Sequence, residues 1–470
     1  MTRYINRYIF ILIVTALSAC KVSKDIGVPA TAVPDNFRTA QKADSTSVAD
    51  IQWNAFFKEA DLQKLIDSAI VKNYDMQTAL KNIEQAQLLF KQTKWGNWPI
   101  AQLQVGANSS RPSDNSLNGL SAQSFLGTSH IEDFTVGVGL SWEADIWGKV
   151  RNQKRKALVE YLQTEEARKA IQTNIVANVS QGFYNLLMLD AQLVIAKRNL
   201  ELNDSTLRIV RLQYNAGQVT SLGVQQTEAQ QLAVAQIIPQ LEQSIGIQEN
   251  ALSVLTGETP KAIARSIVLN QINVAADLPV GVPAAMVSRR PDVKSSELAL
   301  TTANAKVGLA KANMYPSLTI TANGGINSFK ISNWFNIPAS LFGMVAGSLT
   351  QPLFQHKQLK TKYETELLER EKTVIAFRQS VLNAVGEVSD ALVKIDKLQA
   401  QQAIAVKRVN TLQEATSNAS MLFKNGLANY LEVITAQRNV LESELALASI
   451  KRDQLSASVE LYRSLGGGWK

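Results

Sequence analysis

Two stretches of this chain, from about Val150 to Gln213 and from about Leu359 to Lys424, contain no proline and repeat apolar residues at intervals of three and four. The first series includes Ile171, Ile175, Val179, Phe183, Leu186 and Leu193. The second runs through Val374, Phe377, Val381, Val385, Val388, Leu392, Ile395 and Leu398. That is the period of a helix with one apolar stripe. About sixty helical residues rising 1.5 Å each make a rod of roughly 90 Å. No globular core is that long, so rods of this kind must pack side by side as a coiled coil. Shorter partners, about Leu222 to Thr256 and Leu431 to Leu465, follow glycine-containing turns and are expected to run back antiparallel. Ala229, Gln230, Ala233 and Ala235 give one of them a small face that allows close helix approach.

The rods belong to an internal duplication. Trp98-Pro99 and Tyr315-Pro316 each precede an alternating segment, a polar Gly/Ser-rich loop, a second apolar segment and then a rod. Tyr214-Asn215-Ala216-Gly217 before Ser221-Leu222-Gly223-Val224 is echoed by Phe423-Lys424-Asn425-Gly426 before Tyr430-Leu431-Glu432-Val433. Both halves therefore read as strand, loop, strand, long helix, turn, helix. The strands have a period of two: Leu103, Val105 and Ala107 alternate with Gln102, Gln104 and Asn108, and Phe134 to Trp142 alternates likewise. Leu318, Ile320 and Ala322 do the same against Thr319, Thr321 and Asn323. The fourth segment, about Leu341 to Gln351, alternates less cleanly, because Phe342 and Met344 compete with Val345 and Leu349.

Strands of about ten residues, apolar on one side and polar on the other, suit a membrane β-barrel with a wet lumen or a half-buried sheet on a soluble domain. Trp98, Trp142, Trp147 and Tyr315 lie at strand ends, where interfacial aromatics sit, and favour the membrane. Four strands cannot close a barrel, and an open edge in lipid leaves unsatisfied backbone groups. Several copies must then share one barrel, two giving eight strands and three giving twelve with a lumen wide enough for solutes.

The N-terminus reads as an export signal. Arg3 and Arg7 precede a short apolar run from Tyr8 to Ala16, too short to span a bilayer. It ends in Leu17-Ser18-Ala19-Cys20, an arrangement similar to a bacterial lipobox, and Cys20 is the only cysteine. A lone cysteine excludes a disulfide framework and a thiolate metal cluster. From Lys21 to about Asp50 the chain is rich in Ser, Thr, Ala and Pro, an extended tether. The net charge of +8 is dispersed among Glu and Asp along helical stretches, so it reads as solvated helix surface, not a nucleic-acid footprint. Basic clusters at Lys149, Arg151, Lys154, Arg155, Lys156 and at Lys357, Lys360, Lys362 fit either lipid-headgroup or inter-subunit contact, or a solvated first helical turn. No P-loop, zinc spacing or nucleophile elbow occurs, and His130 and His356 are unpaired, so no catalytic site and no metal site is expected.

Ser288-Arg289-Arg290-Pro291-Asp292-Val293, then Ala303-Asn304-Ala305, Val307-Gly308 and Tyr315-Pro316-Ser317-Leu318, resemble the signature of TolC-like outer-membrane efflux factors. Trp142-Glu143-Ala144-Asp145-Ile146-Trp147-Gly148-Lys149, Gln351-Pro352-Leu353-Phe354 and the terminal Tyr462-Arg463-Ser464-Leu465-Gly466-Gly467-Gly468-Trp469 match as well, in order along the mature chain. The resemblance is nearest to the lipoprotein (NodT-type) branch serving resistance–nodulation–division pumps. It implies a mainly α fold with a small membrane β-barrel: a long antiparallel coiled-coil tunnel, and four strands per chain completing a twelve-stranded barrel as a homotrimer. On that plan residues 1–19 are a lipoprotein signal peptide, 20–50 an acylated tether, 51–97 equatorial and tunnel helices, and 98–147 the first β-hairpin. Residues 148–259 form the first helical hairpin, 260–290 an equatorial linker and 291–315 a second repeat helix. Residues 316–354 are the second β-hairpin, 355–465 the second helical hairpin and 466–470 the tail.

The resemblance further implies an outer-membrane channel of a tripartite efflux pump, passively conducting from periplasm to exterior. Its partners would be a periplasmic adaptor, an inner-membrane pump and outer-membrane lipid, with no cofactor beyond the lipid on Cys20. The duct of an ATP-driven type I secretion system and a non-conducting periplasmic scaffold stand as alternatives. The tunnel's tip would be the two turns, with Gly217, Ser221, Leu222, Gly426, Asn429 and Leu431 as adaptor contacts. A gate would follow the second turn, with Glu432 supplying a carboxylate ring and Tyr430 an aromatic tether; Thr435 stands where the family often has a second acid. The rival reading of Glu432 is a solvated carboxylate at the positive end of a helix. Cys20→Ser is expected to abolish metabolic palmitate labelling of the chain; unchanged labelling would remove the anchor assignment.

Overall fold

The computed structural model describes Pro34, Phe37 and residues 47–273 and 279–470, so Cys20, the signal and most of the tether lie outside the described residues. In chain order the helices are α1 (Trp53–Phe56), α2 (Ala60–Lys72), α3 (Tyr74–Lys94), α4 (Leu117–Ser121), α5 (Lys149–Asn215), α6 (Ser221–Leu255), α7 (Pro283–Arg289), α8 (Pro291–Ala312), α9 (Gln358–Lys424) and α10 (Tyr430–Ser464). The strands are β1 (Ile100–Ser110), β2 (Ile131–Glu143), β3 (Ser317–Ser328) and β4 (Leu341–Thr350). The rods α5 and α9 are each 67 residues and their return helices α6 and α10 each 35, so the duplication holds to the residue. No helix among the described residues is long and apolar enough to cross a membrane. The chain divides into two units: Glu84–Leu162 with Leu298–Ile375, and Ala30–Ile83 with Gln163–Glu297 and Ala376–Lys470.

In the first unit the strands form one antiparallel sheet in the order β1-β2-β3-β4, so the two hairpins are joined through β2 and β3. Residues opposite one another in adjacent strands share a face. The register aligns Leu103, Val138, Gly324 and Gly343, and Val105, Val136, Ile326 and Leu341, into an apolar band on one face, beyond which Ser109, Glu132 and Ser328 follow at the strand ends. The other face carries Gln102, Gln104, Asn108, Thr135, Ser141, Thr319, Thr321, Asn323, Ser348 and Thr350. Phe342 and Met344 belong to that polar face, which is why β4 alternates poorly. A Cβ on Gly137 would stand 3.3 Å from the Phe342 ring, and Phe342 lies opposite Gly325. The ring thus covers a patch that glycines leave bare.

Aromatics bound the apolar face at both ends. At one end Trp142 donates its indole N–H to the Asn97 carbonyl at 2.9 Å, and Trp147, stacked on Tyr315, donates to Pro316 O at 2.6 Å. At the other end Phe134, Trp334 and Phe335 form a chain of rings that sequence reading missed. Eight residue steps separate Phe134 from Trp142. That is about 27 Å along the strand, and roughly 20 Å of height at the tilt of a membrane barrel.

The second unit has a continuous apolar core. Ile175, Val179, Phe183 and Leu187 of α5 meet Leu455, Val459, Leu461 and Tyr462 of α10, Val381 and Val388 of α9, and Leu62 and Ile66 of α2. Phe37 is buried in the same core, and Val48 and Ala49 with it, so the far end of the tether stretch is anchored. The buried Arg290 ties three segments together. It donates to Asp292 at 2.6 and 3.0 Å, to Glu387 of α9 at 2.9 Å and to the Ser464 carbonyl ending α10 at 2.9 Å. Burial opposes its charge, but the two carboxylates outweigh that and hold its pKa above the usual value. The arginine motif of the sequence is therefore a structural knot.

Arg290→Ala would take from Asp292, Glu387 and the Ser464 carbonyl their shared buried donor, with the Val293 amide still on Asp292 and Arg463 still on Glu387, and is expected to destabilise this unit by about 1–3 kcal/mol in thermal or denaturant unfolding. Tyr462 stacks on Phe56 and donates its hydroxyl to Ile51 O at 2.7 Å. Burial pushes its phenol up to about 12, against a small opposite pull from the Gly468 backbone. A folded-state pKa raised above the unfolded value of 10.0 means this contribution is intact below pH 10 and lost as pH climbs through about 12. Tyr462→Phe should flatten the alkaline fall in melting temperature; identical pH profiles for both chains would contradict it.

Candidate functional site

Each rod in the second unit ends in the same device. Gly217 and Gly426 take φ of +76° and +73°, a left-handed conformation unfavourable for residues with a Cβ. The amides of Gly217 and Gln218 bond back to Tyr214 O and Gln213 O, each at 2.9 Å. Those of Gly426 and Leu427 bond to Phe423 O at 3.1 Å and Leu422 O at 2.9 Å. Both are Schellman turns that satisfy the last helical carbonyls and reverse the chain. No atom lies within 4 Å of a Cβ built at either glycine, so backbone conformation alone demands it.

The two turns meet. Val210, Phe423 and Val433 form a small core, flanked by Ile209, Val219, Val224, Ala428 and Tyr430. The Tyr430 ring lies over Gly223, where a Cβ would stand 2.8 Å from it, and its hydroxyl donates to Gln226 Oε1 at 2.7 Å. The Tyr430 side chain therefore bridges the two hairpins. Asn429 caps α10, its Oδ1 accepting from the Leu431 amide at 2.9 Å and the Glu432 amide at 3.3 Å, whereas Thr220 makes no such bond at α6. Glu432 is exposed in the first turn of α10, where the helix dipole favours a carboxylate, and Thr435 is half-buried beside it. Gly217, Ser221, Leu222, Gly426, Asn429 and Leu431 are all exposed, with Leu222 and Leu431 more than half so.

A feature that no single-residue pattern signals lies further along the same helices. The nearly buried Glu444 of α10 holds Arg198 of α5 and accepts from Gln413 of α9 at 2.6 Å. These three residues, with Asn199, Thr416 and Lys424, line a cavity of about 680 Å³. Gln437 donates to Thr206 at 2.9 Å, but Gln437 Oε1, Asn199 Oδ1 and Asn203 Oδ1, all buried, have no hydrogen-bond partner. The seam between α5 and α10 is thus polar at an intermediate level, between the small apolar core of the turns and the apolar core around Phe183 and Tyr462. Incompletely satisfied polar layers hold helices less firmly than apolar ones, so the helices are held less firmly at this level than at the Phe183 core.

In the first unit the basic clusters are largely paired. Lys149 meets Glu143 at 2.9 Å, Lys156 meets Glu160 at 3.6 Å, and Lys362 meets Glu366 at 2.7 Å. Asp145 accepts from the Val150 and Arg151 amides at 2.9 and 3.0 Å, which compensates the cations at that helix start. His130 lies beside Ser129 at 3.2 Å and His356 beside Phe354.

The family described as outer membrane efflux protein matches residues 65–258 and 282–467. The chain is 27% identical over 458 residues to Cation efflux system protein CusC of Escherichia coli O6:H1, covering 97% of both. It is 28% identical over 468 residues to Solvent efflux pump outer membrane protein SrpC of Pseudomonas putida, covering 96% of both. A solved membrane protein from Pseudomonas aeruginosa superposes with a TM-score of 0.86 at 25% identity, over 95% of this chain and all of that one.

Tyr430→Phe removes the hydroxyl bond to Gln226 and leaves the ring over Gly223. Loss of one exposed hydrogen bond, about 0.5–1.5 kcal/mol, should speed amide exchange in both turns by about two- to tenfold while α2 and the Tyr462 core stay unchanged.

Proposed function

The chain belongs to the outer membrane efflux protein family, and on that premise we propose that it is the outer-membrane channel subunit of a tripartite efflux pump, working as a homotrimer. Three copies, each bringing its four strands, would close one twelve-stranded barrel. The observation that carries this reading is the sheet itself: one face with an apolar band, the other mostly polar, and both edges unpaired among the described residues. In lipid only closure satisfies those edges. The polar face then lines a wet lumen, and the helical hairpins form the duct that reaches into the periplasm.

Conduction through such a duct is passive. An inner-membrane resistance–nodulation–division pump supplies the energy, and a periplasmic adaptor engages the turns around Gly217 and Gly426 and opens them. Glu432 from three copies makes a ring of carboxylates around the axis, attracting cations and repelling itself when the tip loosens. The Tyr430–Gln226 bond is the latch that holds the two hairpins of one copy together, and the polar seam around Glu444 lets the tip yield while the core stays fixed. The names of the two relatives concern cations and solvents. Cargo that different, served by chains of one length and fold, supports specificity residing in the pump and not in the duct.

Planar-bilayer recording is the direct test. The purified chain should give discrete conductance steps, Glu432→Gln should lower its cation preference, and Tyr430→Ala should raise its open probability. Absence of any conductance, even with Glu432 and Tyr430 both replaced by Ala, would favour a scaffold. Recovery of an ATP-binding exporter in place of a proton-driven pump from crosslinked envelopes would move the assignment to secretion.

A further inference from the structure

Two groups of large apolar side chains stand exposed at the same end of the sheet, one beside each edge. The strands run antiparallel in the order β1-β2-β3-β4, so the start of β1 and the end of β4 lie at one end. Just before β1, Trp95 is 67% and Trp98 65% exposed, their rings 5.8 Å apart. Just after β4, Leu353 is 94% and Phe354 80% exposed. Directly beyond them His356 and Lys357 take φ of +48° and +62°, a left-handed conformation unfavourable for side chains of their kind. Backbone in that region persists where surrounding structure holds it, and such positions gather at clamps and contacts. Exposed bulk and backbone strain in one short segment indicate a surface completed by something outside the single chain.

We propose that Leu353 and Phe354 form a hook that docks on the Trp95–Trp98 platform of the next copy, so that every seam of the barrel carries the same head-to-tail contact. The inference rests on the shared-barrel reading above. Closing the sheet around an axis brings β4 of one copy beside β1 of the next. The hook begins three residues past Thr350 and the platform ends two residues before Ile100, so closing the strands carries one to the other. A lipid contact is the rival occupant for these side chains. Trp98 has extended backbone, φ −94° and ψ 149°, and its alternation places it with Ile100, Gln102 and Gln104, off the apolar face, so it is not the lipid-interface anchor that its place at a strand end suggests. That favours a protein neighbour over the bilayer.

The test is crosslinking in intact envelopes. A chain carrying both Leu353→Cys and Trp98→Cys, mildly oxidised, should give covalent dimers and trimers on a denaturing gel, while either single substitution and the unsubstituted chain give monomers. A second chain carrying Val345→Cys and Leu103→Cys, bridged by a short bismaleimide, reports the β4–β1 seam itself. Seam crosslinks without hook crosslinks would overturn the hook and leave the barrel standing, with Leu353 and Phe354 in lipid. Dimers from Leu353→Cys alone would also overturn it, since a head-to-tail contact cannot bring two hooks together. Failure of both pairs would remove the shared barrel, and the hook with it. Phe354→Ala should in addition raise the dissociated fraction in mild detergent by about tenfold; an unchanged fraction would count against the hook.

Discussion

A sheet whose backbone edges are open cannot rest in hydrocarbon, because each unpaired amide and carbonyl there lacks any partner. Much of the first unit answers to that constraint. The register brings Leu103, Val105, Val136, Val138, Leu140, Leu318, Ile320 and Ile326 to one face and most of the amides and hydroxyls to the other, with Ile100 and Ile131 on the polar face at the strand ends. Two tiers of aromatic rings limit the apolar band, with Trp142, Trp147 and Tyr315 at one end and Phe134, Trp334 and Phe335 at the other. Among the described residues two edges remain, and further copies of the same sheet would supply matching strands. A channel shared between chains is thus a consequence of backbone hydrogen bonding before it is a matter of function.

The second unit solves a different problem, which is to hold long helices firmly at one level and loosely at another. Near Phe183 and Tyr462 the contacts are apolar and aromatic, and Arg290 clamps the end of α10 to α9 and to the start of α8. Further toward the turns the same helices meet through Asn199, Thr206, Gln413, Gln437 and Glu444, with Asn199 and Gln437 incompletely paired. Four Schellman turns, at Gly217, Gly257, Gly426 and Gly466, end the four main helices without leaving their last carbonyls bare. The polar seam lies between the Phe183 core and the small core of the turns, where the Tyr430–Gln226 bond joins the two hairpins.

Sequence and structure agree closely on the elements, and the reason is length. The rods were legible as Val150 to Gln213 and Leu359 to Lys424 because a sustained period without proline has few other readings, and they fold as Lys149–Asn215 and Gln358–Lys424. The turn glycines were legible because only glycine suits their backbone. The strand from Leu341 was harder, since Phe342 and Met344 break its alternation; they face the polar side, where Gly137 and Gly325 leave room. The Trp334 tier and the Glu444 pocket were missed, because each is assembled from residues distant in the chain and ordinary in their local setting.

What the sequence determined by itself is periodicity and punctuation: helix length, strand alternation, the duplicated plan, the turn positions, and a lone Cys20 after a short apolar leader. Those follow from local sterics and hydrophobic spacing, which neighbours along the chain carry in full. Only the tertiary structure decided what each conspicuous residue is for. It made Arg290 a clamp, laid Tyr430 over Gly223, buried Glu444 against Arg198, and left Leu353 and Phe354 bare beside an open edge. These roles depend on which distant segments meet, and close contact in space is the one quantity that spacing along a chain does not encode.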